Sequence, residues 1–209
     1  MGAVKGGVSV GGVAYDPGTS LTLDFAQGWN LSGNGSDTPI DVAATFSDAT
    51  KVTTVWKWLP APLNLWGFYT PSMAGQALTD YQNSKGYSEL TSIGAGEGFW
   101  VNAKVPFTAT VTVGNAVTTA QIGSSMVKGW NLVSIGEEPK TPSLFNAALD
   151  ADLLTLWAWD SPLSLWYFYT PSLDKNGGLT NYITTKGYLD FAQKSKSLGW
   201  GTGFWVNKP

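Results

Sequence analysis

The side chains with most to offer a ligand are indole rings set in pairs. Trp56-Lys57-Trp58 and Trp66-Gly67-Phe68 bracket a Pro-containing loop, and Trp157-Ala158-Trp159 and Trp166-Tyr167-Phe168 do so again about one hundred residues later. In a strand, residues two apart share a face. Two such strands, once paired, would set their aromatic rings side by side as a platform. An exposed platform stacks on the flat faces of sugar rings, with Asn64, Lys57, Asp160 or Ser164 beside it to bind hydroxyls. The candidate ligand-binding residues are therefore Trp58, Trp66, Asn64, Trp159, Trp166, Tyr167 and Asp160. Tyr167, with Tyr69 and Tyr169, falls on the opposite face of its strand and is a secondary candidate. If the platform face is buried the same rings are core, where large aromatics mostly sit. Exposure of Trp58, Trp66, Trp159 and Trp166 decides between the two. Trp29, Trp130, Trp100, Trp205, Phe99 and Phe204 lie next to glycines in apparent strands and are expected to be buried.

Groups able to move protons or hold metals are scarce. The chain has no His, no Cys and no Arg, and all 12 basic residues are Lys. That excludes a disulfide framework, a Cys/His zinc site and His-based triads. A net charge of −3 without a guanidinium makes a poor nucleic-acid binder, because phosphate neutralisation supplies much of that affinity. Glycoside hydrolysis normally needs two carboxylates at a fixed separation. No cofactor is expected. Gly94-Ala95-Gly96-Glu97-Gly98 leads into an apparent strand, so it reads as a turn and not as a phosphate loop. Asp174-Lys175-Asn176-Gly177-Gly178 lacks most ligands of a calcium loop and reads as a plain loop. Asp150 and Asp152 read as a solvated turn. Asn30-Leu31-Ser32 and Asn34-Gly35-Ser36 match a glycosylation sequon that is common by chance.

The pairs belong to a longer internal match. Gly28-Trp29-Asn30-Leu31 returns as Gly129-Trp130-Asn131-Leu132, and the run Pro62 to Ser72 returns as Pro162 to Ser172. Lys85-Gly86-Tyr87 returns as Lys186-Gly187-Tyr188, and Gly98-Phe99-Trp100-Val101-Asn102 as Gly203-Phe204-Trp205-Val206-Asn207. The matches keep their order, and among the acids only Glu89 and Asp190 correspond. The organisation expected is two tandem homologous units of about one hundred residues, 1–104 and 105–209. The fold class is α+β and β-rich, each unit a small antiparallel sheet with two short helices.

Local signals place the elements. Val8 to Val13 and Val111 to Ala116 alternate around Gly-Gly and Gly-Asn, which suit two-residue hairpins. The second hairpin strands would be Leu21 to Phe25 and Thr119 to Met126. Thr38-Pro39 and Thr141-Pro142 are helix starts, Thr as cap and Pro in the first turn. Val52 to Trp58 with Leu65 to Thr70, and Leu154 to Trp159 with Leu165 to Thr170, read as strand pairs. Helices follow over Gln76 to Lys85 and Leu179 to Lys186, ended by Gly86 and Gly187.

The series Gly-Trp-Asn-Leu, a Trp-rich hairpin, then Gly-x-Gly-Phe-Trp-Val, over about Gly28–Asn102 and Gly129–Asn207, resembles a repeat module of secreted and cell-surface bacterial proteins. The resemblance implies export, as part of a larger secreted protein, and an accessory role. No run of about 18 apolar residues suggests membrane insertion. The leading expectation is a non-catalytic extracellular module that binds a polysaccharide or cell-surface glycan, with tandem copies adding avidity. The alternatives are a structural, adhesive or filament protein, self-associating through sheet edges at Val4–Tyr15 and Thr108–Thr119, and a glycoside hydrolase.

Overall fold

A computed structural model describes residues 18–209; the hairpin expected at Val8–Val13 and the edge at Val4–Tyr15 lie outside the described residues. The chain runs β1 (Ser20–Phe25), β2 (Gly28–Gly33), β3 (Ile40–Asp41), α1 (Val42–Phe46), β4 (Val52–Leu59), β5 (Leu65–Tyr69), α2 (Gln76–Lys85), β6 (Ser88–Glu89), β7 (Ser92–Ile93), β8 (Gly98–Ala103) and β9 (Phe107–Thr112). It continues α3 (Thr119–Ser125), β10 (Gly129–Val133), α4 (Pro142–Ala147), β11 (Thr155–Asp160), β12 (Leu165–Tyr169), α5 (Pro171–Lys175), α6 (Leu179–Lys186), β13 (Gly201–Thr202) and β14 (Phe204–Lys208). The fold is α+β with mostly strands, several small sheets and short helices. No helix among the described residues is long and apolar enough to cross a membrane.

The largest sheet has the order β13-β2-β8-β4-β5-β6 and the next β10-β14-β11-β12, with the two-stranded pairs β1-β9 and β3-β7 beside them. In β2-β8-β4-β5 and in β10-β14-β11-β12 the same sequence motifs follow one another. The hairpin registers match as well: Trp58 faces Trp66 and Trp56 faces Phe68, while Trp159 faces Trp166 and Trp157 faces Phe168. Strand alternation then sorts each sheet into two faces. Val55, Phe99 and Val101 point into one core, and Leu156, Ala158, Phe204 and Val206 into another; all are at most 1% exposed. The tryptophans take the other face of each sheet.

Several local expectations give way to competing chemistry. Thr119–Met126 is not a strand: Thr118 and Gln121 form a capping box and start helix α3. Gly114-Asn115 closes no two-residue hairpin, because β9 pairs at long range with β1, Leu21 opposite Val111 and Leu23 opposite Ala109. The Thr108–Thr119 segment is therefore no free edge along β9's side to β1. Asp41, not Thr38, caps α1, its Oδ1 accepting from Ala44 N at 2.9 Å. Thr141 caps α4 as its sequence suggests. The segment read as a plain loop at Asp174 begins inside helix α5.

Glu137 ties α3 to the turn after β10. Its Oε1 accepts from Thr119 N at 2.6 Å and from the Thr119 hydroxyl, with Lys140 Nζ at 3.5 Å. Burial alone would raise its pKa, but the Thr119 donors and Lys140 outweigh that and hold it below 4.5. A carboxylate held low contributes stability above its unfolded pKa and loses it as pH falls through the folded value. Melting curves across acid pH should therefore fall more steeply for the wild type than for Glu137→Gln. Parallel curves would remove that role.

Candidate functional site

The tryptophans expected in the core do not enter it. Phe99 and Phe204 are fully buried, but Trp29 and Trp130 are 45% and 44% exposed, and Trp100 and Trp205 are half-buried. The reason is parity. Trp29 and Trp100 stand one position out of step with the core residues Asn30, Phe99 and Val101, so the pleat turns them outward. Trp58, Trp66, Trp159 and Trp166 are likewise half-buried, neither an open platform nor core.

What half-covers them is the opposite sheet. Trp58 lies 6.1 Å from Trp205, and Trp66 lies 5.8 Å from Trp205. At the matching positions Trp159 lies 5.9 Å from Trp100, and Trp166 lies 5.7 Å from Trp100. Most of these ring pairs are edge-to-face, the geometry the ring quadrupole favours. The indole N–H of Trp58 donates to the Trp130 carbonyl at 3.0 Å, and that of Trp159 donates to the Trp29 carbonyl at 2.8 Å. Each of these contacts has a counterpart in the reverse direction.

The backbones meet just as closely. Gly201 and Thr202 of β13 pair with Gly33 and Ser32 of β2, and Glu97 bridges Val133 in the reciprocal place. Gly35 and Gly136 touch each other: a β-carbon on Gly136 would stand 1.9 Å from the Gly35 carbonyl oxygen. Asn30 and Asn34, the sequon residues, are buried, with their side-chain amides bonded to backbone carbonyls.

Two grooves remain between the aromatic faces. One, of about 500 Å³, is lined by Trp58 and Trp66 from the first sheet and Trp130, Trp157, Trp166 and Trp205 from the second, with Tyr188 from the loop after α6. The other, of about 580 Å³, is lined by Trp29, Trp56, Trp66, Tyr87, Trp100, Trp159, Trp166 and Trp205. Trp66, Trp166 and Trp205 belong to both, so the grooves adjoin. Their walls are aromatic throughout, with no carboxylate, ammonium or nucleophile to supply acid–base chemistry. Among the described residues no cluster of three or more acids could hold a metal. Asp152 is engaged by Asn146 and Lys175.

Of the candidate residues, Trp58, Trp66, Trp159 and Trp166 come together in these grooves. Asn64 does not; it is exposed in its loop at a positive φ of 50°. Tyr167 is buried in the second core, its hydroxyl donating to Asp160 Oδ2 at 2.9 Å. Burial, then that bond, raises the Tyr167 pKa far above 10. It is a packing residue and cannot meet a ligand in the grooves. Trp29, Trp130, Trp100 and Trp205 line the grooves, although their place beside glycines in apparent strands had suggested burial.

Comparison with protein-family models, curated proteins and solved structures found no match to this chain.

Proposed function

We propose that the chain is a duplicated, non-catalytic binding module of a secreted or surface-exposed protein, and that it holds a polysaccharide in the aromatic grooves where its two halves meet. The observation that carries this reading is the pair of grooves themselves. Each is walled by indole and phenol rings and contains rings from both halves, and every residue of the first has its counterpart in the second, which adds only Trp205. That reciprocity fits two copies related by an approximate two-fold axis. Aromatic walls bury the apolar faces of sugar rings without needing charge. The absence of acids from the described lining fits retention of a polymer more than cleavage, which requires a carboxylate pair. Export and an accessory role accord with the resemblance of the motifs to secreted repeat modules.

A structural reading is favoured by one specific observation: Trp58 and Trp159 spend their N–H groups on the opposite half. The test therefore avoids them. Trp29 and Trp130 are the most exposed of the set, and only their backbone carbonyls accept the cross-junction bonds, so Trp29→Ala with Trp130→Ala keeps those bonds. Wild type should be retarded in affinity gels by at least one of a panel of polysaccharides. The double variant should melt near the wild-type temperature yet bind about tenfold or more weakly, from the stacking of two rings. No retardation by any polysaccharide, or equal retardation of the folded double variant, would leave the rings as structural.

A further inference from the structure

Beyond Trp159 the aromatic groove opens into a cleft of different chemistry. Trp159 lines both, and the cleft, of about 340 Å³, is walled on one side by β1 and β2. On the other side the β11–β12 turn supplies Asp160 and Ser161, and the segment before β13 supplies Lys196 and Trp200. That segment is longer than its counterpart: Gly201 follows Tyr188 by thirteen positions, whereas Gly96 follows Tyr87 by nine. The extra residues fold locally. Asp190 Oδ1 accepts from Ala192 N and Gln193 N, Ser195 turns the chain at a φ of 51°, and Lys196 N returns to Phe191 O at 2.9 Å.

This turn sets Lys196 beside Tyr167, with its Nζ 6.0 Å from the ring centroid. Among the described residues Lys196 Nζ has no hydrogen bond and no carboxylate within ion-pair distance. Burial lowers its pKa, partly offset by the charge of Asp160. A mostly buried ammonium with neither hydrogen bond nor ion pair among the described residues is a cost to folding, and such a cost in a cleft points to a functional group. The matching positions of the first half hold Leu59 for Asp160 and Gly67 for Tyr167, so the polar set exists at one end of the groove alone.

The set combines one donor cation, two acceptor carboxylates, Asp160 and Asp24, the Ser161 hydroxyl and an indole. With Asp24 counted the lining carries one ammonium and two carboxylates, which disfavours an anion, and its donors, acceptors and indole suit a neutral polyhydroxylated ring. The volume is at the small end of ligand sites. We propose that this cleft is a subsite for one neutral pyranose unit, with Lys196 Nζ donating to its oxygens, Asp160 accepting from a hydroxyl, and Trp159 against a ring face. It rests on the polysaccharide reading only for the chain to which that unit belongs. A sugar chain lying across two matching grooves gains the same contacts in either direction; the unmatched cleft fixes which end lies beside Trp159.

The probes are glucose, galactose, mannose and N-acetylglucosamine, one at a time, read by saturation-transfer NMR and tryptophan fluorescence. At least one should bind the wild type. Lys196→Met should weaken it about tenfold or more, by loss of a charged donor, while melting no lower than the wild type. Ser161→Tyr, which fills the cleft mouth from a turn, should do the same independently of any effect on folding. Trp29→Ala with Trp130→Ala should leave monosaccharide binding intact. No binding of any probe, or binding that survives both Lys196→Met and Ser161→Tyr, overturns the subsite. A polymer retarded in gels with no monosaccharide bound removes the cleft and keeps the groove; the converse keeps the cleft and removes the groove.

Discussion

Gly136→Ala should open the junction between the two sheets, at a cost of about 3 kcal/mol, the upper end for overpacking. The new β-carbon would lie 1.9 Å from the Gly35 carbonyl oxygen and 2.8 Å from its carbon. Both are backbone atoms, so no rotamer change relieves the clash and one chain segment must retreat from the other. Retreat at this point also strains the bonds that flank it, Gly136 N to Val117 O and Val117 N to Gly35 O, at 2.9 and 2.8 Å. Urea unfolding followed by tryptophan fluorescence gives the comparison, with Gly178→Ala as control. Gly178 has an ordinary φ of −90°, and its β-carbon would meet nothing nearer than 3.5 Å. Because Gly178 is the N-cap of α6, where Ala is somewhat worse than Gly, the control should cost no more than about 1 kcal/mol. A Gly136→Ala protein as stable as that control would mean that the two sheets are not pressed together here.

The indole bonds across the junction give the second large effect. Trp58→Ala and Trp159→Ala should each cost about 3 kcal/mol, at the low end for removing a large aromatic because the rings are half-buried. The hydrogen bond accounts for about 1 kcal/mol of this, and Trp→Phe at each site should recover most of the remainder. Both residues close the same junction, Trp58 on the Trp130 carbonyl and Trp159 on the Trp29 carbonyl. Once one side opens, the other loses part of its contact, so the double variant should cost less than the sum of the singles. Strict additivity would show two independent contacts, and single costs below about 0.5 kcal/mol, the scale of ordinary surface changes, would show that the junction is held elsewhere.

These effects were only partly legible in the residues. The Trp-x-Trp and Trp-x-Phe spacing gave both hairpins and the shared face of their rings, since a two-residue period leaves little choice of face. Thr141-Pro142, Gly86 and Gly187 marked helix ends because caps act through the backbone within a few positions. The failures were also local. Thr118 and Gln121 formed a capping box that outweighed the β-branched run after them, and β9 found β1 across about ninety positions where a two-residue turn looked sufficient. Asp160 was singled out as a hydroxyl binder beside Trp159, and it does line a polar cleft there, but Lys196 and Trp200 were missed. Their signal was the longer spacing before Gly201, which marked an insertion without saying where it would fold.

Sequence alone therefore determined the aromatic face of the two Trp hairpins, the cap at Thr141 and the recurrence of one motif series, because each depends on short-range backbone geometry. Which tryptophans meet water was decided only by tertiary structure. The pleat turned Trp29 and Trp100 away from the core, and whether that outer face was platform or interior depended on a second sheet whose approach no local period encodes. The same approach, made close by Gly35 and Gly136, created grooves from residues about one hundred positions apart. Long-range packing set those residues together, so their proximity belongs to the fold.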